Sequence, residues 1–478
     1  MQMLFFLLGR SALVGGAALV VPLSFSLLWH EPGTLFFGLP ALFIMAAGVL
    51  LNALGRRHKR QLTVREGAFF MVAVWFIFGL IGMLPYALSG ELGWVDAFFE
   101  SISAFTTTGA TCLRAEAPRS LIFWHSILAW MGGLNFIVLL VTVLPQVSGC
   151  FGMTLSVRQS VHFSPMLGRM HTAALQAAKI YTGFTLISAL LYWLAGLDKF
   201  DAFTRALISL STSGNNAVLD FMQYDSPSLE LAGVVSMLAA SGNFLLYWKA
   251  VSRRDLRWLL QETELRVFLL LLVLAGLLVS FHLWHMQVYA PLDSLRFGFF
   301  QVVSFASTSG FVSADVAGWP DFDRYVLLLL VFVGGCIGST TGGLKVMRFV
   351  VLFKMAAQEM KRTLHPHMVV NIKVDGTSVP MKIVGRILSF FFLYMMVFFF
   401  FVLLLSLADI EVMQAVGLAA ACLSSVGSAA GLYGLADLSL LPAWAKLVCC
   451  LLMVLGRLEI FSFLILLHSG TRQLRHRW

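Results

Sequence analysis

Ten apolar runs, each long enough to cross a lipid bilayer as a helix, follow one another along this chain of 478 residues. A helix that spans the hydrocarbon core needs roughly 20 predominantly apolar residues. Only 12% of the residues are charged, against about 25% in soluble domains. The predicted spans cover residues 11–30, 36–54, 68–90, 120–145, 176–197, 228–248, 267–286, 325–355, 383–408 and 442–468. The sequence therefore predicts an all-α protein that crosses a membrane many times.

The first run is also a candidate for a cleaved signal peptide. It is long, however, it lacks a basic segment before its first apolar residues, and it leads directly into further spans. We therefore expect it to form a membrane helix.

Basic residues concentrate in alternate connections between these spans, at residues 56–65, 158–169, 249–257, 361–382 and 472–477. The positive-inside rule then places these connections and both termini in the cytoplasm. The opposite connections carry acidic residues such as Glu91, Asp220 and Asp315, which would concentrate cations at the outer face. The net charge of +9 is thus explained by membrane topology, and we expect no nucleic-acid partner.

A turn rich in serine, threonine and glycine recurs four times. The copies read SISAFTTTGAT (101–111), LISLSTSGNNA (207–217), VSFASTSGFVSAD (303–315) and ACLSSVGSAAGLYG (421–434). Their aligned glycines are separated by 105, 96 and 117 residues. Each copy follows an apolar stretch of about a dozen residues, which is too short to cross the membrane. The sequence therefore predicts four segments that enter the membrane and return.

Irregular backbone at membrane depth is tolerated only where protein buries it or where it lines a water-filled cavity. Glycine frees the backbone to present carbonyl groups, and threonine and serine add hydroxyl oxygens. Four such turns in a ring could replace the water shell of a monovalent cation, and the preceding short helices would point negative ends at it. One turn alone would be an ordinary loop, but four copies predict a cation pore. The predicted filter residues are Thr107, Thr108, Gly109, Thr212, Ser213, Gly214, Thr308, Ser309, Gly310, Ser425, Val426 and Gly427.

These turns, together with WMGGLNFIVLLVTVLP (130–145), GGCIGSTTGGLKVMR (334–348) and LGRLEIFSFLIL (455–466), resemble the Trk/Ktr/HKT superfamily of potassium transporters. The similarity covers nearly the whole chain and is greatest to the bacterial Trk membrane subunit. It implies four helix, pore-loop, helix repeats in pseudo-fourfold array around a central pore, preceded by two additional helices. The expected divisions are 1–60 (two N-terminal helices), 61–150, 151–255, 256–375 and 376–478 (pore repeats 1 to 4).

The resemblance also implies gated uptake of K⁺, and with it Rb⁺, through a homodimer in a bacterial inner membrane. Gating is expected from a cytosolic regulatory ring, so a nucleotide (ATP, ADP or NAD) is expected on that partner and no cofactor on this chain. Glycine at the key position of all four turns resembles the potassium-selective members. Two turns depart from the Trk pattern, TSGN in the second and SSVGSAAG in the fourth, which leaves a less selective K⁺/Na⁺ transporter open.

The segment GGCIGSTTGGLK interrupts the eighth predicted span. Gly338 and Gly343 have the spacing of a phosphate loop, but Leu344 stands where a nucleotide-binding lysine must follow. Glycines weaken a helix by about 1 kcal/mol each relative to alanine, so a kink or a loop is expected. The resemblance implies a mobile gate loop beneath the filter. Its residues are Gly334, Gly335, Gly338, Ser339, Thr340, Thr341, Gly342, Gly343 and Lys345, the last of which could instead anchor at the inner interface.

Arg457 lies among apolar residues of the last predicted span, with Glu459 two positions on. A charge inside a membrane span is costly and usually faces a partner or a wet cavity. Residues two apart do not share a helix face, so a pore-facing or gate-facing Arg457 is favoured over a local ion pair. We expect Asn135 and Asn243 to form hydrogen bonds between helices in preference to binding ions, and His125, His282 and His285 to face the membrane interfaces.

Three classes of function follow from these patterns. The first is a gated, passive potassium pore, and the second is a symporter that couples K⁺ to protons or Na⁺. Coupling usually needs ionisable residues at mid-membrane, and few are present near the predicted filter. The third, a membrane enzyme, needs convergent His, Asp, Glu or Cys residues at membrane depth, and we find no such pattern. The basic segment 361–373 is either a docking site for a cytosolic partner or a plain inside-facing loop.

Overall fold

A computed structural model describes residues 2–31, 33–55, 64–114, 116–142, 167–214, 221–255, 257–365, 371–435 and 437–458 of the chain. Their regular structure is helical, apart from a small antiparallel hairpin of β1 (Lys373–Val374) and β2 (Thr377–Ser378). The α-helices are α1 (Gln2–Leu28), α2 (Thr34–Leu54), α3 (Val64–Leu88), α4 (Trp94–Phe105), α5 (Arg119–Thr142), α6 (Leu167–Leu194), α7 (Lys199–Ser211), α8 (Pro227–Ser241), α9 (Phe244–Arg253), α10 (Arg257–Gln261), α11 (Thr263–His285), α12 (Pro291–Ala306), α13 (Asp321–Val333), α14 (Val346–Leu364), α15 (Met381–Leu405), α16 (Val412–Ser424) and α17 (Ala443–Arg457).

Seven of these helices are long and apolar enough to cross a membrane, namely α1, α2, α3, α5, α6, α11 and α15. Each corresponds to a predicted span. Their exposed side chains are largely leucine, phenylalanine and valine, as expected for surfaces that face lipid tails. The prediction of a polytopic, all-helical membrane protein is confirmed.

The sixth predicted span, residues 228–248, is wrong as a single helix. The chain forms α8 and α9, which meet at an angle of 95° around Gly242 and Asn243. Asn243 caps α9, because its side-chain oxygen accepts hydrogen bonds from the backbone N–H groups of Leu245 (3.0 Å) and Leu246 (3.3 Å). A cap of this kind starts a new helix in a new direction.

The eighth predicted span, 325–355, is interrupted as expected. Helix α13 ends at Val333, the glycine-rich segment of residues 334–345 follows without helical structure, and α14 begins at Val346. The last predicted span, 442–468, begins as α17, and its remainder lies outside the described residues.

The four half-length stretches form the short helices α4, α7, α12 and α16, of 12 to 16 residues each. Each is followed by one of the Ser/Thr/Gly turns. Their C-terminal halves are buried in the centre of the molecule. The prediction that these stretches end inside the protein, and do not cross it, agrees with this arrangement.

The first two helices pack closely against each other. A Cβ atom on Gly9 would lie 2.7 Å from the backbone nitrogen of Asn52, and one on Gly48 would lie 3.0 Å from the carbonyl oxygen of Gly9. Small residues at such contacts let membrane helices approach closely. The pair also contacts α3 and α5, which brings α1 beside the first repeat.

Candidate functional site

The four turns share one backbone conformation, which begins at the end of each short helix. Thr107, Thr212, Thr308 and Ser425 all adopt left-handed geometry, with φ of 52°, 56°, 54° and 58°. The residue that follows each of them donates its N–H to a carbonyl five positions back, at 2.8, 3.1, 3.0 and 2.9 Å. This six-to-one bond and the left-handed residue define a Schellman motif. The sequence repeat is therefore also a structural repeat.

This conformation is unfavourable for the residues that adopt it. Left-handed geometry normally falls to glycine or asparagine, and a β-branched threonine there is an outlier that costs on the order of 1–3 kcal/mol. Three of the four positions are nevertheless threonine, and all four are buried. Strain of this kind persists where the surroundings enforce it, and it concentrates at binding sites.

The turns contact one another closely, through backbone atoms and one serine side chain. The N–H of Gly427 in the fourth turn donates to the carbonyl oxygen of Thr108 in the first, at 2.6 Å. A Cβ atom on Gly214 would lie 1.6 Å from the carbonyl oxygen of Ser309, and one on Gly310 would lie 2.9 Å from Oγ of Ser428. Contacts thus join the second turn to the third, the third to the fourth and the fourth to the first, which places all four around one centre.

The fourth turn differs from the others after the shared Schellman motif. Gly109, Gly214 and Gly310 have positive φ of 73°, 67° and 72°, whereas Gly427 does not and begins a 3₁₀ helix that runs to Tyr433. The sequence SSVGSAAG, which departs from the Trk pattern, therefore coincides with a different backbone.

The glycine-rich segment of residues 334–345 packs directly against three of the turns or the helices that carry them. Thr340 Oγ1 lies 3.0 Å from the carbonyl oxygen of Leu210, at the end of α7. The N–H of Gly342 donates to Thr308 Oγ1 at 2.9 Å, and a Cβ atom on Gly342 would lie 2.0 Å from the carbonyl oxygen of Ser424. The segment is buried against one side of the turns, and its role as a gate loop stays a prediction.

Lys345 is part of the segment and does not reach a membrane interface, so the alternative of an interfacial anchor is wrong. Its side chain is 3% exposed, and Nζ donates to Thr341 Oγ1 at 2.8 Å, to the Thr341 carbonyl and to Ser339 Oγ at 3.3 Å. Ser339 and Thr341 also bond each other at 2.6 Å. The lysine thereby folds the segment back on itself.

Glu264 in the first turn of α11 links the segment to the start of α14. Its Oε1 accepts hydrogen bonds from the N–H of Ile337 at 2.8 Å and of Met347 at 3.3 Å, and the residue is 1% exposed. This role of Glu264 is not apparent from the sequence, since the residue lies near the start of a span, where an acidic residue is ordinarily solvated at a helix terminus.

Arg457 connects the first turn to the glycine-rich segment. Its Nε donates to the carbonyl oxygen of Thr106 at 2.6 Å, Nη1 donates to that of Thr340 at 2.7 Å, and Nη2 donates to the hydroxyl of Thr107. The residue is 3% exposed. The prediction that Arg457 faces the pore region or the gate loop agrees with these bonds, while the alternative partner Glu459 lies outside the described residues.

The four short helices share a second buried position that was not predicted from the sequence. It lies nine residues before each aligned glycine. The four residues there are Glu100, Arg205, Gln301 and Leu418. The sequence does carry a signal for this position. Three of its four residues are polar although their neighbours in the short helices are mostly apolar.

Glu100 braces the chain just after the first turn. Its carboxylate accepts hydrogen bonds from Thr111 Oγ1 at 2.9 Å and from the Cys112 N–H at 2.8 Å, and it lies 2.7 Å from His125 Nδ1. His125 is 1% exposed, so the expectation that it faces an interface is wrong. In the third repeat, Gln301 occupies the position of Glu100, and its Nε2 lies 3.4 Å from Ser313 Oγ. This longer contact also joins the short helix to the chain that follows the turn.

Within the described ranges no group of three or more His, Cys, Asp or Glu side chains is placed to hold a metal ion. The oxygens that surround the four turns belong instead to backbone carbonyls and to threonine and serine hydroxyls. Such neutral oxygens suit a weakly bound monovalent cation that must leave again.

Comparison with known proteins agrees with this architecture. The chain is 33% identical over 462 residues to the Trk system potassium uptake protein TrkH of Vibrio parahaemolyticus, covering 94% of each chain. It is 32% identical to that of Escherichia coli strain K12, covering 96% of this chain and 97% of the relative. The crystal structure of the potassium transporter TrkH from Vibrio parahaemolyticus superposes with a TM-score of 0.89 and 32% identity, covering 98% of each chain.

The relatives are transport proteins and not enzymes, in line with the class expected from the sequence. Residues 37–471 match the family model of the TrkH cation transport proteins. Since this match covers most of the chain, the protein belongs to the TrkH family of cation transport proteins.

Proposed function

We propose that the chain is the pore-forming subunit of a potassium uptake system, in which K⁺ and Rb⁺ pass in preference to Na⁺ through a filter formed by the four turns. The observation that carries the proposal is the strained turn at Thr107, Thr212, Thr308 and Ser425, repeated four times around one centre. The naming of the relatives as potassium uptake proteins supports the choice of ion.

Selection in this pore would follow from exchanging water for protein oxygens. Carbonyl and hydroxyl groups of the four turns would replace the hydration shell of K⁺, which is held more loosely than that of Na⁺. The C-terminal ends of the four short helices add partial negative charge in a buried setting, where electrostatic interactions are stronger than in water. The backbone bond between Gly427 and Thr108 keeps two of the turns at a fixed separation.

The glycine-rich segment would close the pore on the side of the turns where Arg457 lies. Opening requires that the bonds of Thr340 to Leu210 and to Arg457, and of Gly342 to Thr308, break together. Gly334, Gly338 and Gly343 have φ of 69°, 86° and 70°, so both ends and the middle of the segment use conformations open to glycine. These positions supply the hinges for such a movement.

Control by a cytosolic regulatory partner fits the connection from this segment to the surface. The segment leads directly into α14, whose last turn carries the exposed residues Lys361 and Arg362. A force applied to α14 would reach Lys345 through one continuous helix. We propose that a nucleotide-binding ring docks here, that two copies of the chain form a homodimer in a bacterial inner membrane, and that both termini face the cytoplasm.

A coupled symporter is the second candidate, and Glu264 is the observation that favours it. Glu264 is a buried carboxylate that accepts one backbone N–H of the proposed gate and one at the start of α14, and its protonation would weaken both hydrogen bonds. Proton-coupled uptake would then acidify the interior of vesicles as K⁺ enters, whereas passive flow would not.

The test is uptake of ⁸⁶Rb⁺ into proteoliposomes that contain the purified chain, with competition by K⁺ and Na⁺ and with an internal pH-sensitive dye. We expect uptake that K⁺ inhibits and Na⁺ does not, without a coupled pH change. Gly109→Ser and Gly310→Ser should each reduce the preference for K⁺ over Na⁺. The matched control is Gly183→Ser, since Gly183 lies in α6 and a Cβ atom there meets open space. If neither Gly109→Ser nor Gly310→Ser changes the preference for K⁺ over Na⁺, the proposal is wrong.

A further inference from the structure

A cavity of about 630 Å³ lies between α1, α3 and α5 and reaches the end of α4 at Phe105. Its volume is that of a binding site for a small organic molecule. The function proposed above makes no use of it. Helix α1 forms one wall from Leu7 to Ala18, a length of about 16 Å at 1.5 Å per residue.

The polar residues that line the cavity lie near one of its ends, beside apolar residues such as Leu7 and Val138. Arg10, Ser11 and Asn135 line it near the start of α1 and the end of α5. Farther along, Phe78 and Phe105 line it. Such a division matches a molecule with a charged head and a hydrocarbon tail.

The amide nitrogen of Asn135 does not face the cavity. Its Nδ2 atom is buried and has no hydrogen-bond partner among the described residues. The expectation that Asn135 forms a hydrogen bond to a neighbouring helix is therefore not met by this nitrogen.

We propose that the cavity binds one acyl chain of an anionic phospholipid. The length of about 16 Å corresponds to one leaflet, since the whole hydrocarbon core is about 30 Å thick. The Arg10 guanidinium would pair with the phosphate, an interaction stronger than a neutral hydrogen bond. The tail would extend towards Phe105.

The tail would then touch the element that carries the first turn. Phe105 is the last residue of α4, and its ring stacks on that of Phe78 with centroids 4.5 Å apart. The next residue, Thr106, accepts the hydrogen bond from Arg457. An acyl chain at this place would hold the first turn in position. This consequence for transport rests on the proposed function, whereas lipid binding does not.

Native mass spectrometry of the detergent-purified chain, delipidated and then supplied with phosphatidylglycerol or phosphatidylcholine, tests the binding. We expect one tightly retained phosphatidylglycerol per chain. Arg10→Gln should weaken its retention about tenfold relative to phosphatidylcholine, the loss of one charge-assisted hydrogen bond. Val14→Trp and Ala18→Phe, which fill the cavity, should abolish retention of both lipids. Two cavity-filling variants are used so that one that fails to fold does not decide the result.

The matched controls carry the same changes on other lipid-facing helices. Arg266→Gln replaces an exposed arginine near the start of α11, and Leu39→Trp adds a ring to an exposed position of α2. Both should retain phosphatidylglycerol like the wild type. Equal loss in the controls, or full retention in the filled variants, overturns the binding site. The cavity-filling variants could also change the ratio of monomer to dimer while lipid retention stays the same. That result would assign the cavity to a second copy of the chain and overturn the lipid site.

Transport measurements separate the consequence from the binding. Uptake of ⁸⁶Rb⁺ by the wild type should be faster in vesicles with phosphatidylglycerol than in pure phosphatidylcholine, and uptake by Val14→Trp should not respond to the lipid. If lipid binds as expected and wild-type uptake ignores it, the influence on the first turn is refuted. If no variant transports any cation, the proposed function fails while the mass-spectrometric result still decides the binding site.

Discussion

Replacement of Arg457 by alanine tests the proposed link between the filter and the gate. Three hydrogen bonds are lost, of which only the bond from Nη1 to the Thr340 carbonyl joins the glycine-rich segment. A hydrogen bond to a charged group contributes about 1.5–3 kcal/mol. Since 1.36 kcal/mol corresponds to a factor of ten, loss of this contact should shift the balance between closed and open states by roughly 10- to 150-fold.

The assay is the initial rate of ⁸⁶Rb⁺ uptake by proteoliposomes without any regulatory partner. Arg457→Ala should take up Rb⁺ faster than the wild type. If most wild-type molecules are closed, the initial rate should rise by up to roughly 10- to 150-fold. Its preference for K⁺ over Na⁺ should fall, because Thr106 and Thr107 in the first turn lose their donors. Arg457→Lys keeps the charge but cannot make the three hydrogen bonds of the guanidinium. Its uptake rate and its preference for K⁺ should lie between those of the wild type and those of Arg457→Ala.

Lys446→Ala is the matched control. Lys446 is a buried cation on the same helix, α17, but it pairs with Asp96 and the Ser439 carbonyl near the opposite end of that helix. Its loss should lower stability without speeding uptake. Equal acceleration in both variants, or an Arg457→Ala protein that folds and transports at the wild-type rate, would refute the role of Arg457 in gating.

Two further predictions concern the proposed filter and its supports, and a third concerns the titration of Glu262, the residue before α11. Glu100→Leu removes the hydrogen bonds that hold the chain just after the first turn, so it should lower the preference for K⁺ over Na⁺. Gln301→Leu removes a longer hydrogen bond in the third repeat and should have a smaller effect. An equal loss in both variants would contradict a special role for the first repeat. Gly214→Ala places a Cβ atom 1.6 Å from a neighbouring carbonyl at a φ of 67°, so its thermal midpoint in detergent should fall, while that of Gly183→Ala, in the interior of α6, should not fall. Burial, with a smaller contribution from Asp375, raises the pKa of Glu262 from 4.5 to about 7, so the folded chain binds this proton more tightly and loses stability as pH rises between those values. Glu262→Gln should flatten the dependence of the midpoint on pH in that window, and an unchanged slope would show that Glu262 does not titrate there.

The architecture was predictable because the sequence repeats itself. Four Ser/Thr/Gly turns after stretches too short to cross a membrane indicated re-entrant segments, and α4, α7, α12 and α16 have that form. The bend between α8 and α9 was missed, although Gly242 and Asn243 together are typical of a helix stop followed by a cap. Hydropathy alone cannot detect it, since both halves are apolar.

Tertiary partners were harder to predict than elements. Nothing near Glu264 in the sequence indicates that it binds backbone groups more than 70 positions away, at Ile337 and Met347. Lys345 follows a glycine-rich stretch in the manner of an interfacial anchor, yet the segment folds around it. Arg457 was identified because a lone arginine among apolar residues demands a partner, but which turn it would join depends on the packing of helices far apart in the chain.

The most direct test of the central proposal is to locate a bound ion. Crystals of the chain grown in Rb⁺ would give anomalous scattering that marks the ion independently of any functional assay. The account predicts a peak enclosed by the four turns, among residues 107–109, 212–214, 308–310 and 425–427, that weakens when excess K⁺ is added and persists in excess Na⁺. Peaks only elsewhere, or a peak that Na⁺ displaces as readily as K⁺, would contradict a potassium filter built from these turns.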